Sequence, residues 1–184
     1  FGHHLKVATP EDPATARYNQ SVYAFWLQSV FGQYISAWKI QKNLLKISKS
    51  SFLSIKNIVL WGGLMQVFYI LAISYYFSIY VAVLATLIGI ISFLMLESIN
   101  YIEHYGLRRY KTESGRYEKT QEKHSWNSDH IIGRIVLYEL TRHSDHHFKA
   151  SKKYQELDCH ETSPQLPYGY PTSILMSLNP PLWF

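Results

Sequence analysis

Forty consecutive residues, 57–96, contain no Asp, Glu, Lys or Arg. That stretch constrains the fold more than any other feature. The uncharged residues 58–96 would make one straight helix of about 58 Å at about 1.5 Å per residue. A bilayer's hydrocarbon core is about 30 Å thick and takes about 20 residues to cross. One helix is too long by about a factor of two, whereas two helices fit. A single soluble core helix of this length would need protein on every side, which 184 residues do not easily supply. The expected spans are residues 57–76 and 78–100. Their break falls in Ser74-Tyr-Tyr-Phe-Ser78, whose hydroxyls and tyrosines suit the headgroup level. Gly62, Gly63 and Gly89 are expected to allow close packing.

The flanks set the expected topology. Lys39, Lys42, Lys46, Lys49 and Lys56 precede the run, and Arg108, Arg109 and Lys111 follow it. Basic residues at both outer ends fit a hairpin whose two ends face the cytoplasm. The net charge of +5 is then a topology and lipid-headgroup signal. A nucleic-acid partner is not expected, because no groove-reading or aromatic-platform motif accompanies the charge. The fold class is therefore an all-α integral membrane helical bundle with one transmembrane hairpin and cytoplasmic histidine-bearing segments. Three parts of one larger catalytic domain are expected. Residues 1–56 are cytoplasmic or interfacial, 57–100 form the two transmembrane helices, and 101–184 form a cytoplasmic metal-binding segment.

Outside the run, Thr9-Pro-Glu-Asp-Pro13 reads as a turn. Val22, Phe25, Trp26, Val30, Phe31, Ile35 and Trp38 suit equally a membrane-surface helix and a packed core. Residues 105–123 are polar, with a turn at Glu113-Ser-Gly-Arg116. Residues 131–140 are expected to be helical, with Ile131, Ile132, Ile135, Val136 and Leu140 as an apolar side. The five prolines after residue 163 preclude one long C-terminal helix. The chain begins at Phe1 with neither an initiator Met nor a signal peptide, which reads as a fragment or a processed chain.

Six of the nine histidines are the candidates for chemistry. His143, His146 and His147 stand at i, i+3 and i+4 and project from one helical face. His3 and His4 are adjacent, and an even number of crossings puts them on the same side as His104 and the 143–147 group. Glu97, Asn100 and His104 also share one face. A carboxylate in hydrocarbon is costly unless it faces the bundle interior. Accepting a hydrogen bond from a ligating imidazole would explain Glu97, and Asp145 suits the same role. Snorkelling to the interface is the plain alternative for Glu97. Glu103 is expected to be more exposed, and Gly106 to end the helix. His124, His130, Asn127 and Asp129 are expected to support the site rather than bind metal. His160 and Cys159 carry no assignment.

Imidazole suits Fe, Zn, Cu and Ni alike. The single Cys159 excludes thiolate clusters. Phosphate-binding loops, the dinucleotide fingerprint, the nucleophile elbow and His-Glu-x-x-His are all absent. An all-histidine site at a membrane reads as non-haem iron that activates oxygen with electrons from another protein. A histidine-rich surface tract without function is the bland alternative.

Four stretches carry a family resemblance. They are Gly2-His-His-Leu-Lys-Val-Ala-Thr-Pro-Glu-Asp-Pro-Ala14, Asn100-Tyr-Ile-Glu-His-Tyr-Gly-Leu107, His124-Ser-Trp-Asn-Ser-Asp-His130 and Leu140-Thr-Arg-His-Ser-Asp-His-His147. Pro164-Gln-Leu-Pro-Tyr-Gly-Tyr170 and Pro180-Pro-Leu-Trp183 extend it to the end. The chain resembles the membrane di-iron alkane 1-monooxygenases of the histidine-rich desaturase and hydroxylase superfamily. The resemblance implies two non-haem irons, with His3, His4, His104, His143, His146 and His147 among their ligands. Glu97, Asn100 and Asp145 are the expected supporting residues. It implies terminal hydroxylation of a medium-chain n-alkane to a 1-alkanol with O2. The electrons would come from reduced rubredoxin, supplied by a flavoprotein reductase. It also implies a bacterial inner-membrane location with the site facing the cytoplasm.

The family's first histidine box is missing from this chain, as is the residue of the second box that would precede Phe1. By itself the chain is expected not to assemble a competent di-iron centre. A fatty-acid desaturase, a xylene-type monooxygenase and a metal-binding membrane protein without enzyme activity are the alternatives.

Overall fold

A computed structural model describes residues 2–184. The described residues form helices and no sheet. The order is α1 (Gly2–Lys6), α2 (Val22–Ile47), α3 (Ile58–Tyr76), α4 (Ile79–His104), α5 (Ile131–Val136), α6 (His143–Phe148), α7 (Tyr170–Ser177) and α8 (Pro180–Trp183). Short 3-10 turns occur at Glu122–His124 and Tyr154–Glu156. The chain divides into two compact units, one of residues up to Gly32 together with Glu97–Phe184, the other Gln33–Leu96.

The unit Gln33–Leu96 holds all of α3 and most of α4. Both helices are long and apolar enough to cross a membrane. Only Phe77 and Ser78 separate them, inside the expected break. Asn57 starts α3 by accepting a hydrogen bond from the Leu60 N–H at 3.2 Å, an N-cap that satisfies one of the helix's unpaired donors. The Asn57 amide also donates to the Phe52 carbonyl at 2.8 Å. Trp38 stacks on Phe52 with ring centroids 5.9 Å apart. No residue of α3 is buried. A Cβ built on Gly62, Gly63 or Gly89 meets nothing within 4 Å, so close packing at these glycines is not found.

The other unit is built around an aromatic core. Phe25, Tyr101, Tyr170, Val22, Ile102, Leu166 and Ile174 are buried together, with Trp26, Trp126 and Trp183 against them. Two of the polar aromatic groups find partners where burial would otherwise strand them, while Trp183 Nε1 is buried without one. Tyr101 OH donates to the Gln20 carbonyl at 2.6 Å, and Trp126 Nε1 donates to the Tyr105 carbonyl at 2.9 Å. The start of α2 thus packs as core, while Leu27, Phe31, Tyr34 and Ile35 are exposed. Core packing and an exposed apolar face therefore occur on different faces of one helix.

α4 ends at His104, and Gly106, at φ +72°, follows it as expected. One local expectation changes. The 131–140 helix stops at Val136, because Tyr138 and Glu139 both take positive φ. Its apolar side is solvent-facing, with Ile131 70% and Ile132 75% exposed. Bidentate pairing of Arg134 with Glu139, at 2.8 and 2.9 Å, closes that turn.

Candidate metal centre

Three segments bring histidines to one place in the aromatic-core unit. α1 presents His3 and His4, the end of α4 presents His104, and α6 presents His143, His146 and His147. One ring nitrogen from each of His3, His104, His143 and His147 lies within 4.8 Å of the others. His143 Nε2 is 3.2 Å from His104 Nε2. His4 and His146 adjoin this group, with ring centroids 4.9 Å apart, and His4 is 4.7 Å from His147.

The second nitrogens explain how the rings are held. His3 Nδ1 is 2.8 Å from Asp12 Oδ2. Asp12 is itself fixed by Thr15 Oγ1 at 2.6 Å and the Ala14 N–H at 3.3 Å. His104 Nδ1 is 3.4 Å from Ser125 Oγ. Such outer partners set tautomer and ring orientation and raise the basicity of the opposite nitrogen. His3 Nε2, His4 Nδ1, His143 Nδ1 and both His147 nitrogens are buried with no hydrogen-bond partner. Buried polar atoms are normally satisfied, so this many orphaned ring nitrogens in one cluster fit a bound cation.

Burial favours the neutral form of His4, His143, His146 and His147, the state in which imidazole binds metal. Burial, then proximity to His146 and His3, lowers the His4 pKa to about 4. Burial and neighbouring histidines also hold His143, His146 and His147 below the ordinary imidazole range.

Loops hold the short α6 in place. Asn127 Oδ1 accepts from the Ser144 N–H at 2.9 Å, and Asn127 exchanges backbone hydrogen bonds with Pro164 and Leu166. Ser144 Oγ is 2.7 Å from Ser163 Oγ. Arg109 ties α1 to the segment after α4. Its side chain donates to the Leu5 and Val7 carbonyls at 2.8 and 2.7 Å and to Thr120 Oγ1 at 3.2 Å.

The expected supporting carboxylates lie elsewhere. Glu97 is buried two turns before His104, about 10 Å along the helix axis. It accepts a hydrogen bond from Ser29 Oγ at 2.5 Å. Asn100 is half-buried one turn before His104. Asp145 points to His160 Nε2 at 2.9 Å, Lys152 Nζ at 2.7 Å and the Asp158 N–H at 2.9 Å. Burial opposes its charge, but these donors hold its carboxyl below the usual range. Asp129 is half-exposed beside Arg134 and Arg142. His130 is exposed, and buried His124 accepts from the Gln121 N–H at its Nδ1.

Glu103 corrects the expectation of exposure. It is 1% exposed, with Oε2 3.2 Å from His143 Nε2 and Oε1 accepting from Tyr170 OH at 2.9 Å. Burial and Glu103 itself keep the Tyr170 phenol protonated well above its usual range. Asp12, Glu103, Tyr170 and Arg109 are thus site residues that helix-face spacing does not reveal. All but Arg109 lie inside the stretches that carry the family resemblance.

The chain is similar to known proteins along nearly its whole length. A family profile described as fatty acid desaturase matches residues 1–173. Alkane 1-monooxygenase 2 of Pseudomonas aeruginosa is 39% identical over 182 residues, covering 99% of this chain and 48% of the relative. Alkane 1-monooxygenase of Acinetobacter baylyi is 42% identical over 187 residues, covering 100% and 45%. The xylene/toluene monooxygenase hydroxylase component XylM of Pseudomonas putida is 28% identical over 200 residues, covering 99% and 48%. The chain spans about half the length of the curated relatives it matches.

Proposed function

The chain belongs to the fatty acid desaturase family, and from that premise we propose that it supplies histidine ligands to the iron centre of an alkane 1-monooxygenase. The carrying observation is the cluster of His3, His104, His143 and His147, flanked by His4 and His146, with orphaned ring nitrogens. Six histidines exceed what one ion ordinarily takes from protein, which favours two irons. Identity of about 40% to alkane 1-monooxygenases, against 28% to the xylene/toluene enzyme, favours an n-alkane over a methyl-substituted aromatic ring.

Iron bound there would supply reductive O2 activation, inserting one oxygen atom into a terminal C–H bond while the other leaves as water, with electrons from reduced rubredoxin. The residues of this chain do the rest. Asp12 orients His3, Ser125 steadies His104, and Asn127 positions the helix that carries the last three histidines. Burial of His104, His143 and His147 keeps water from the ligand rings. Burial also favours the unprotonated, metal-binding form of His143 and His147. A membrane location, supported by the two long apolar helices α3 and α4, would let an alkane reach the enzyme without crossing water. That matters because each CH2 favours the apolar phase by about 0.8 kcal/mol. The basic flanks support a cytoplasmic orientation of the histidines.

A chimera tests this. The 182-residue stretch of the Pseudomonas aeruginosa enzyme that aligns here is replaced by this chain and supplied with rubredoxin and its reductase. With octane and 18O2, 1-octanol carrying one 18O is the expected product, lost in His146→Ala. A chimera that takes up iron as fully as the unmodified enzyme yet forms no alkanol would overturn the proposal. Benzylic alcohol from xylene or an unsaturated acyl product would replace it with one of the alternatives.

A further inference from the structure

Glu103 follows the helix register badly and the site geometry well. Consecutive helical residues project about 100° apart, so Glu103 and His104 should not serve one centre. The ring of His143 nevertheless bridges them. Its Nε2 is 3.2 Å from His104 Nε2 and 3.2 Å from Glu103 Oε2. Two donors each about 2.1 Å from one ion, at 90° to 109°, lie about 3.0 to 3.4 Å apart. Both separations match that spacing.

The surroundings of the carboxylate point the same way. Glu103 is buried, and a buried charge ordinarily has a partner. Among the described residues no Lys or Arg forms an ion pair with it; its partner is His143. Tyr170 OH holds the far oxygen, Oε1, and leaves Oε2 facing His143 Nε2. This is the arrangement of a carboxylate fixed by its outer oxygen and offering its inner one.

We infer that Glu103 is a carboxylate ligand, through Oε2, of the ion shared by His104 and His143. The inference rests on the reading of the histidine cluster as a metal centre and adds an oxygen donor to it. Tyr170 is a positioning residue for that donor. A site of imidazoles plus one carboxylate binds a divalent ion with less residual charge than imidazoles alone. It also shifts ligand preference toward harder ions such as iron and manganese.

The test uses the detergent-purified 184-residue chain, 13C-labelled at glutamate and loaded with one equivalent of Cu2+. Pulsed electron–nuclear double resonance then reads which nuclei couple to the copper. Wild type is expected to show 14N couplings from histidine together with a 13C coupling from glutamate. Glu103→Gln is expected to keep the 14N couplings and lose the 13C coupling. Histidine couplings without any 13C coupling in wild type would overturn the carboxylate ligand alone. A 13C coupling that persists in Glu103→Gln would overturn it too. Copper that shows no histidine coupling in wild type would overturn both this inference and the metal-centre reading beneath it. The decisive measurement is on wild type, so it stands even if the variant does not fold.

Discussion

Asp12 Oδ2 sits 2.8 Å from His3 Nδ1, and the opposite nitrogen of His3 is buried without a partner beside His104 and His147. A carboxylate thus holds the ring of a residue nine positions away and aims its free nitrogen into the cluster. Asp12→Asn preserves shape but weakens the hold on the His3 tautomer. Metal affinity should fall by about 10- to 100-fold, the usual range for such outer partners. A competitive chelator titration of the purified chain reads this directly, and an unchanged affinity would detach Asp12 from the site.

Arg109 is the strap between α1 and the segment after α4. Arg109→Ala leaves the Leu5 and Val7 carbonyls without their donors, at a cost of about 1 to 3 kcal/mol for the buried Val7 carbonyl. Arg109→Lys should not restore stability, because a single ammonium cannot reproduce the planar fork that reaches several acceptors. Chemical denaturation in detergent compares the three proteins. Full rescue by Lys would show that charge alone matters there.

Acid should weaken the metal-free fold in a defined window. The His4 pKa falls from 6.5 unfolded to about 4 folded, so the unfolded chain binds more protons between those values. Stability is therefore complete above pH 6.5 and is lost progressively as pH falls toward 4. His143, His146 and His147 shift in the same direction and deepen the loss. Metal competes with those protons, so the loaded protein should resist acid better than the metal-free one. Parallel melting curves across this range check both statements.

His160 and His147 separate a ligand from a bystander. His160 Nε2 is engaged by Asp145, whereas His147 has two unpartnered nitrogens inside the cluster. Iron content should collapse in His147→Ala and change by no more than about twofold in His160→Ala, which acts only through the support of α6. Equal losses would extend the site to His160.

Ile91 is 61% exposed within α4. At the surface of a soluble protein, Ile91→Asp would be nearly neutral. In a membrane span, Asp near the helix centre costs about 2.5 to 3.5 kcal/mol of insertion free energy. The variant should therefore shift from the membrane pellet to the alkaline-extractable fraction. Unchanged membrane retention would argue against α4 as a span.

The sequence by itself determined the features that depend on neighbours along the chain. Forty uncharged residues require two helices because the rise per residue is constant, and Phe77 and Ser78 separate those helices inside the expected break. The spacing of His143, His146 and His147 puts them on one face because the helical repeat is constant. The same rules misplace what tertiary structure decides. Glu103 looks exposed from its register, but His143 and Tyr170 close over it from segments 40 and 67 residues away. Asp145 looks like a partner for the ligand rings, but Lys152 and His160 reach it first from the following loop. The 131–140 pattern reads as one helix, yet pairing of Arg134 with Glu139 turns the chain after Val136. Helical periodicity reports which way a side chain points from its own axis. Which distant group meets it there depends on how the loops close, and no local repeat encodes that.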